Sequence, residues 1–309
     1  MEVVTEQSAH EAARGLMSLG DLDGASKIAD AEIQRLGDKS NTTELWRLRF
    51  IRTDVIDAHG DTEGALRYLE SLPPPDAGDV ESSAALRMYR GAYAGFLGRY
   101  ESSHRLLGEA AAMARGASLL KLEADVCLSW AFIFFRQKDY VSSDRLFRAA
   151  LKLADKVGGW RLRGHALWGI GKNLMIQEHY EEAMPWLQES LGIFENAGAR
   201  LSIAMAWSEL AVCYLGLGDD QKAMELFRKA ERVNHEAGVV HNYQVVLANI
   251  GNVYLHRRDH FTAISYYQRA LALAREIKDP VSIKKWTRNI NLAYARIRQS
   301  IDETNPRIA

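Results

Sequence analysis

Small side chains recur along the chain at a nearly constant spacing of 40 residues. In most copies a larger or apolar side chain follows four residues later, and in the later copies another small one follows three residues after that. Spacings of four and three keep side chains on one face of an α-helix. The pattern therefore predicts seven similar helices, one in each copy of a repeat. The small positions are Ala25, Ala65, Ser103, Ser143, Ala183, Ala223 and Ala263.

A second helical pattern precedes each of these helices. It pairs a large residue with a small one and adds a large residue three positions on, as in Leu210, Ala211 and Tyr214. A short turn that carries Gly-Asp, Lys-Asp or Arg-Asp separates the two patterns in most copies. Each repeat is thus predicted to be a hairpin of a leading helix and a trailing helix, which the small residues allow to approach closely.

This arrangement resembles the tetratricopeptide repeat, although the repeat is 40 residues long here and about 34 in the family. The resemblance covers nearly the whole chain and is strongest from about residue 120 onward. Such long repeats resemble those of kinesin light chains and bacterial peptide-pheromone receptors. The resemblance implies an all-α, right-handed α-solenoid whose leading helices line the concave side. Two copies match the family signature throughout: Leu210, Ala211, Tyr214, Ala223, Phe227 and Ala230, and Ile250, Gly251, Tyr254, Ala263, Tyr267 and Ala270.

We expect one solenoid over residues 1–309, with a capping helix at 281–301 and a tail at 302–309. The proline-rich residues 73–79 are interpreted as a reshaped loop between repeats, and a domain boundary there is the alternative. Pro185 falls inside a predicted trailing helix and should bend it. The predicted repeats lie near residues 6–40, 44–79, 82–120, 121–160, 161–200, 201–240 and 241–280.

Composition excludes several classes of protein. The 39 basic and 40 acidic side chains nearly cancel, so we expect no nucleic-acid partner. No apolar run reaches the roughly 18–20 residues of a membrane span, and no signal peptide is recognisable, so we expect no membrane association. Cys127 and Cys213 lie far apart in apolar helical contexts, which suits a cytoplasmic location. Residues 1–80 carry an excess of eight acids and the remainder an excess of seven bases, which ordinary solvated helix faces would explain.

No pattern indicates catalysis. His256 and His260 are four residues apart, but His260 holds a turn position that is tyrosine in three other repeats. Gly169 and Gly171 lack a third glycine at the spacing of a phosphate loop. No nucleophile stands beside a plausible base in the sequence. We therefore expect a protein that is not an enzyme and binds neither a cofactor nor a metal.

The leading helices supply the candidate binding residues in the middle of the chain. Large side chains there would anchor an apolar peptide or a partner helix in the groove. The alternative is that they pack against each other inside a tight superhelix. The residues are Phe132, Phe135, Arg136, Trp168, Lys172 and Met175.

Toward the C-terminus the predicted groove becomes polar. Asn249 and Asn289 are 40 residues apart, and Asn252 shares a helix with Asn249. Asparagine side chains both donate and accept hydrogen bonds, so they would hold an extended peptide backbone, with Arg288 available for a carboxylate. The alternative is that the asparagines bond between adjacent repeats.

Two functions remain open at this point. The first is a non-catalytic module that binds a peptide or helix of another protein in its concave groove. The second is a regulatory sensor whose ligand controls an effector, such as a caspase-like protease or a transcription regulator, in a longer or separate chain. A homodimer through the solenoid edges is compatible with both.

Overall fold

The computed structural model describes residues 8–37 and 42–304. Within those residues the chain forms fifteen α-helices and no strand, which confirms the predicted all-α hairpin architecture. The helices are α1 (Ala9–Leu19), α2 (Leu22–Leu36), α3 (Thr43–Ala58), α4 (Thr62–Ser71), α5 (Val80–Phe96), α6 (Tyr100–Gly116), α7 (Leu120–Arg136), α8 (Tyr140–Val157), α9 (Trp160–Ile176), α10 (Tyr180–Asn196), α11 (Arg200–Gly216), α12 (Asp220–Glu236), α13 (Val240–His256), α14 (His260–Glu276) and α15 (Pro280–Thr304).

The chain divides into two compact units, one ending at Ala206 and the other beginning at Trp207. In the first unit each helix from α1 to α10 packs on the next in chain order. In the second unit α12, α13, α14 and α15 pack in the same order. Odd-numbered helices are the leading helices of the hairpins and even-numbered helices are the trailing ones.

The recurring small residues are the contact points of the hairpins. All seven are fully buried, and so is the residue four positions after each of them. Glycine on a leading helix accommodates the larger partner: a Cβ atom on Gly251 would lie 2.8 Å from the Tyr267 ring, and one on Gly171 would lie 2.7 Å from Leu187. The small residues that recur about every 40 positions therefore lie where the two helices of each hairpin contact each other.

The turn inside each hairpin explains the recurring aspartates. A residue with positive φ ends each turn, and the next residue is the N-cap of the trailing helix, as at Lys138 and Asp139. The Asp139 carboxylate accepts a hydrogen bond from the Ser142 backbone N–H at 3.0 Å. Asp21, Asp61, Asp219 and Asp259 cap their helices in the same way. Capping satisfies backbone N–H groups that a helix start leaves without partners.

The remaining elements follow the repeats with local variation. Residues 73–79 lie in the connection between α4 and α5, and Pro185 lies inside α10, which continues to Asn196. The last helix, α15, buries Trp286 against α14. Residues 1–7, 38–41 and 305–309, which include parts of the first predicted repeat and of the predicted tail, lie outside the described residues.

Residues 8–37 and 42–304 contain neither a candidate membrane span nor a candidate metal cluster. None of the fifteen helices is both long and apolar enough to cross a lipid bilayer. Over the same ranges, no group of three or more His, Cys, Asp or Glu side chains has the arrangement of a metal site.

Candidate functional site

The leading helices of the first unit form a continuous layer. Helix α1 packs directly on α3, α3 on α5, α5 on α7 and α7 on α9, whereas no two trailing helices of the described chain make comparable contact. Helices on the inner side of a curved stack lie closer together than those on its outer side, and such stacks use the inner side for binding. We call the layer of α1, α3, α5, α7 and α9 the inner wall.

Asp54 lies at the centre of a polar cluster on the inner wall. Its carboxylate accepts hydrogen bonds from the hydroxyls of Tyr89 at 3.2 Å and Tyr93 at 3.1 Å, both on α5. Phe50, one turn before Asp54, stacks on the Tyr89 ring with centroids 4.5 Å apart. Burial raises the pKa of Asp54, and Arg14 on α1 and the two tyrosine hydrogen bonds act in the opposite direction.

A second charged pair continues the cluster onto the next two helices. Arg161 on α9 forms an ion pair with Asp125 on α7. Burial is the main reason that the pKa of Tyr89 lies above its usual value, and Asp125 adds to the increase while Arg161 opposes it. Charged groups on α1, α3, α7 and α9 and tyrosine hydroxyls on α5 therefore interact electrostatically. We call Arg14, Asp54, Tyr89, Tyr93, Asp125 and Arg161 the charged network.

Burial also shifts the pKa values of other titratable groups on the inner wall. Asp57 accepts a hydrogen bond from the Thr62 hydroxyl at 2.6 Å. Burial raises the pKa of Asp57 to about 6, and Asp54 adds to this while Arg136 opposes it. Burial also lowers the pKa of His10 and of His165 to about 4. Both imidazoles are consequently neutral near pH 7.

An aromatic cluster lies beside the charged network on α7 and α9. The ring of Phe132 is 5.5 Å from that of Trp168 and 5.0 Å from that of Phe147. The Lys172 ammonium lies 4.6 Å from the centroid of Trp168 and 5.5 Å from that of Phe135. Cation–π contacts of this kind fix the ammonium over the rings. We call Phe132, Phe135, Trp168 and Lys172 the aromatic cluster.

The predicted residues of the middle of the chain differ in exposure. Trp168 is 6% exposed and Met175 is 5% exposed, whereas Phe132, Phe135 and Lys172 are half-buried. Arg136 is exposed and donates a hydrogen bond to the Phe96 carbonyl at 3.1 Å. The large side chains thus pack on one another, and part of the surface of Phe132 and Phe135 remains exposed to solvent.

The predicted polar residues lie in the second unit. The Asn252 amide donates to the Asn249 side-chain oxygen at 3.3 Å and accepts from the Tyr267 hydroxyl at 2.7 Å. Tyr267 belongs to α14 of the same hairpin, so Asn252 bonds within its own repeat. Asn249 and Asn289 are half-buried and Arg288 is exposed.

Sequence reasoning did not nominate the charged network. Its members are ordinary helical residues taken one at a time, and only their pairing is informative. Asp125 and Arg161 are 36 residues apart, as are Glu63 and Arg99, which are 2.9 Å apart. Acidic and basic side chains that lie 36 residues apart, which is one 40-residue repeat minus one helical turn, are thus the sequence pattern that predicts such pairs.

The two cysteines are buried and make no disulfide. Burial raises the pKa of the Cys127 thiol to about 11 and that of the Cys213 thiol to about 12. Neither thiol is a nucleophilic thiolate near neutral pH.

Comparison with protein families agrees with the geometry of the hairpins. Sequence models of the tetratricopeptide repeat match residues 162–234 and residues 246–281. The chain is also similar to the tetratricopeptide repeat protein 30 homolog of Drosophila melanogaster, with 26% identity over 157 residues. That match covers 49% of this chain and 23% of the relative, so it spans about a quarter of the relative's length.

Solved structures with the same kind of fold cover most of the chain. A Rap protein complexed with competence and sporulation factor matches with a TM-score of 0.60 and 17% identity, over 94% of this chain and 85% of that one. A signal transduction ATPase with numerous domains and a tetratricopeptide repeat sensor, from Pyrococcus horikoshii, matches with a TM-score of 0.58 and 14% identity. That likeness covers 97% of this chain and 52% of the ATPase. At these identities the similarity concerns the fold.

Proposed function

Because the chain is a tetratricopeptide repeat protein, we propose that the inner wall of its first unit binds a peptide or helical segment of a partner protein, without catalysis. The observation that carries the proposal is the charged network. The ion pair between Arg161 and Asp125 leaves 32% and 20% of the two side chains exposed, and partly exposed ion pairs contribute little to stability. A network that extends over five leading helices is therefore better explained by binding than by stability.

The chemistry of the inner wall indicates what the segment would offer. Tyrosine hydroxyls, carboxylates and guanidinium groups of the charged network suit the peptide bonds and charged side chains of a ligand. The half-buried rings of Phe132 and Phe135 suit an apolar side chain next to them. The preferred ligand is thus a segment that combines charged residues with at least one bulky apolar residue.

A second candidate function is a sensor module. It is favoured by the reach of the charged network, since a ligand that contacts any part of it acts on charges from α1 to α9. A Rap protein in complex with a factor and an ATPase with a repeat sensor are among the similar folds. A sensor would change its dimensions when the ligand binds, which small-angle scattering with and without saturating ligand measures. An unchanged scattering profile would exclude this function.

Selection from a peptide library tests the binding proposal. Random peptides would be selected on the wild-type protein, and the enriched sequences would then be measured against Arg136→Glu. Arg136 is exposed on α7, so reversing its charge should leave the fold intact. We expect the affinity of the selected peptides to fall about tenfold, which corresponds to about 1.4 kcal/mol.

Arg145→Glu is the matched control. Arg145 is equally exposed but lies on the trailing helix α8, so its reversal should leave the affinity unchanged. Equal affinities for the wild type and both variants would show that the selected peptides bind elsewhere. The polar residues Asn249, Asn252, Arg288 and Asn289 are proposed as a further contact, which Arg288→Glu tests in the same assay.

A further inference from the structure

An open pocket lies between the C-terminal ends of the trailing helices α8 and α10 and the start of the leading helix α9. Its volume is about 520 Å³, within the range of pockets that hold small ligands or anchoring side chains. The residues that give it its character are Ala154, Trp160, Arg163, Ile193, Asn196 and Ala197.

At this pocket the repeat carries glycine at a position that holds a side chain in the neighbouring turns. The residue just before the leading helix is apolar in three of the turns between hairpins, at Leu119, Ala199 and Val239. Asp79 and Asp279 hold the same register position and cap the helix that follows. Ala199 and Val239 are buried there and Leu119 is half-buried. The position in the same 40-residue register is Gly159. A Cβ atom built on Gly159 would meet no atom within 4 Å.

The backbone around Gly159 also departs from the repeat. The turns after α6, α10, α12 and α14 each contain one residue with positive φ, such as Ser118 or Gly198, but here both Gly158 and Gly159 have positive φ, at 73° and 97°. Only glycine adopts such values freely. The altered turn leaves Trp160 at the edge of the pocket, 36% exposed, with its ring at right angles to that of Phe194.

The rim of the pocket is polar, and its one cation is neutralised. The Arg163 guanidinium lies 3.3 Å from Asp155 and 2.7 Å from Glu189. The exposed side-chain amide of Asn196 has no hydrogen-bond partner among the described residues. An amide offers a donor and an acceptor together, which matches a peptide bond and does not match a hydrocarbon chain.

We propose that this pocket binds a leucine-sized aliphatic side chain in an extended segment of a partner protein. Three of the chain's own repeats place leucine, alanine or valine at the same register position, and the aspartates found there in two others are engaged as N-caps. Arg163 is already paired with two acids, so an anionic side chain would gain no partner. The Asn196 amide holds the peptide backbone beside the inserted side chain. The pocket shares α9 with the inner wall but lies at the N-terminal end of that helix, against the C-terminal ends of α8 and α10.

Methyl NMR with short peptides tests the proposal directly. The Ile193 δ-methyl and the Trp160 indole signals would be followed during titration with acetyl-Gly-Leu-Gly-amide, acetyl-Gly-Asp-Gly-amide and isoamyl alcohol. We expect saturable shifts of both signals with the leucine peptide at millimolar concentration, at least about tenfold weaker binding of the aspartate peptide, and weaker binding of isoamyl alcohol, which lacks peptide bonds.

Ala197→Trp should fill the pocket and lower the affinity for the leucine peptide about tenfold. Gln188→Trp, at an exposed position on the opposite face of α10, is the control and should leave the affinity unchanged. Arg136→Glu should also have no effect, which separates this site from the inner wall. The proposal is overturned if the leucine peptide causes no shift, if all three probes bind equally, or if Ala197→Trp binds like the wild type.

Discussion

Side-chain size at single positions controls how closely the helices pack. Gly169 on α9 faces Phe147 of α8, and a Cβ atom there would lie 2.3 Å from the ring. Phe147 is fully buried and has little room to move. Gly169→Ala should therefore lower the free energy of unfolding by about 1–3 kcal/mol, as overpacking usually does.

Urea denaturation of Gly169→Ala beside Gly192→Ala checks this interpretation. A Cβ on Gly192 of α10 would meet no atom within 4 Å, so alanine there should stabilise the helix by up to about 1 kcal/mol. The account requires effects of opposite sign, and a loss of stability in both variants would contradict it.

Titration of one carboxyl group is also a property at the residue scale. The pKa of Asp57 is raised to about 6 by burial, so the folded chain binds this proton more tightly than the unfolded chain. The group therefore favours folding most below its unfolded pKa and opposes folding as the pH rises through about 6. Asp57→Asn should gain stability relative to the wild type between about pH 4 and pH 7.

Unfolding in urea at both ends of that pH range measures the difference. Asn still accepts the Thr62 hydrogen bond, so the local geometry is kept. Glu70→Gln, at an exposed position of α4, serves as the control and should show a smaller pH-dependent change. A difference between Asp57→Asn and the wild type that does not vary with pH would show that Asp57 titrates normally.

The sequence predicted burial at the residue scale better than it predicted electrostatics. Position in a helical repeat determines burial, so the small residues such as Ala183 and their neighbours four positions on could be identified by periodicity alone. The interactions of Arg14 with Asp54 and Asp125 depend on how closely three leading helices approach. That approach is a product of packing and is not encoded in any local pattern.

At the scale of helices, the N-caps make a separable contribution. Asp139 accepts the Ser142 backbone N–H at the start of α8, and these hydrogen bonds lower the pKa of Asp139. Asp139→Ala should lower the free energy of unfolding at neutral pH, and Asp139→Asn should recover most of the loss. Because the pKa is lowered, the contribution of the carboxylate disappears as the pH falls through the folded-state pKa.

Thermal or urea unfolding of the three proteins gives the comparison. His179 occupies the N-cap of α10 without a capping hydrogen bond from its side chain, so His179→Ala should change stability by no more than about 0.5 kcal/mol. Similar losses at both caps would contradict the assignment of the aspartates.

Helices were predicted well because their ends carry chemical signals. The Asp and Gly residues of the turns mark where trailing helices begin, and Pro73 to Pro75 mark where α4 cannot continue. The pocket beside Gly159 was not predicted. The absence of a side chain at Gly159 is recognised only when this turn is aligned, in the 40-residue register, with the turns at Ala199 and Val239.

At the scale of the whole molecule, we expect one side of the stacked hairpins, the inner wall, to bind the peptide. The sequence predicted the leading helices, and direct contacts among α1, α3, α5, α7 and α9 support that choice in the first unit. Among the predicted contact residues, Trp168 and Met175 are buried while Arg136 is exposed.

Site-specific photocrosslinking shows whether a bound peptide contacts the leading helices or the trailing helices. A benzophenone amino acid would replace Phe135 on α7 in one variant and Val141 on α8 in the other, and a peptide selected on the wild type would be irradiated with each. Val141 is 83% exposed, so it is fully available for cross-linking. The account predicts a cross-link from position 135 and none from position 141. A cross-link from position 141 alone would contradict it.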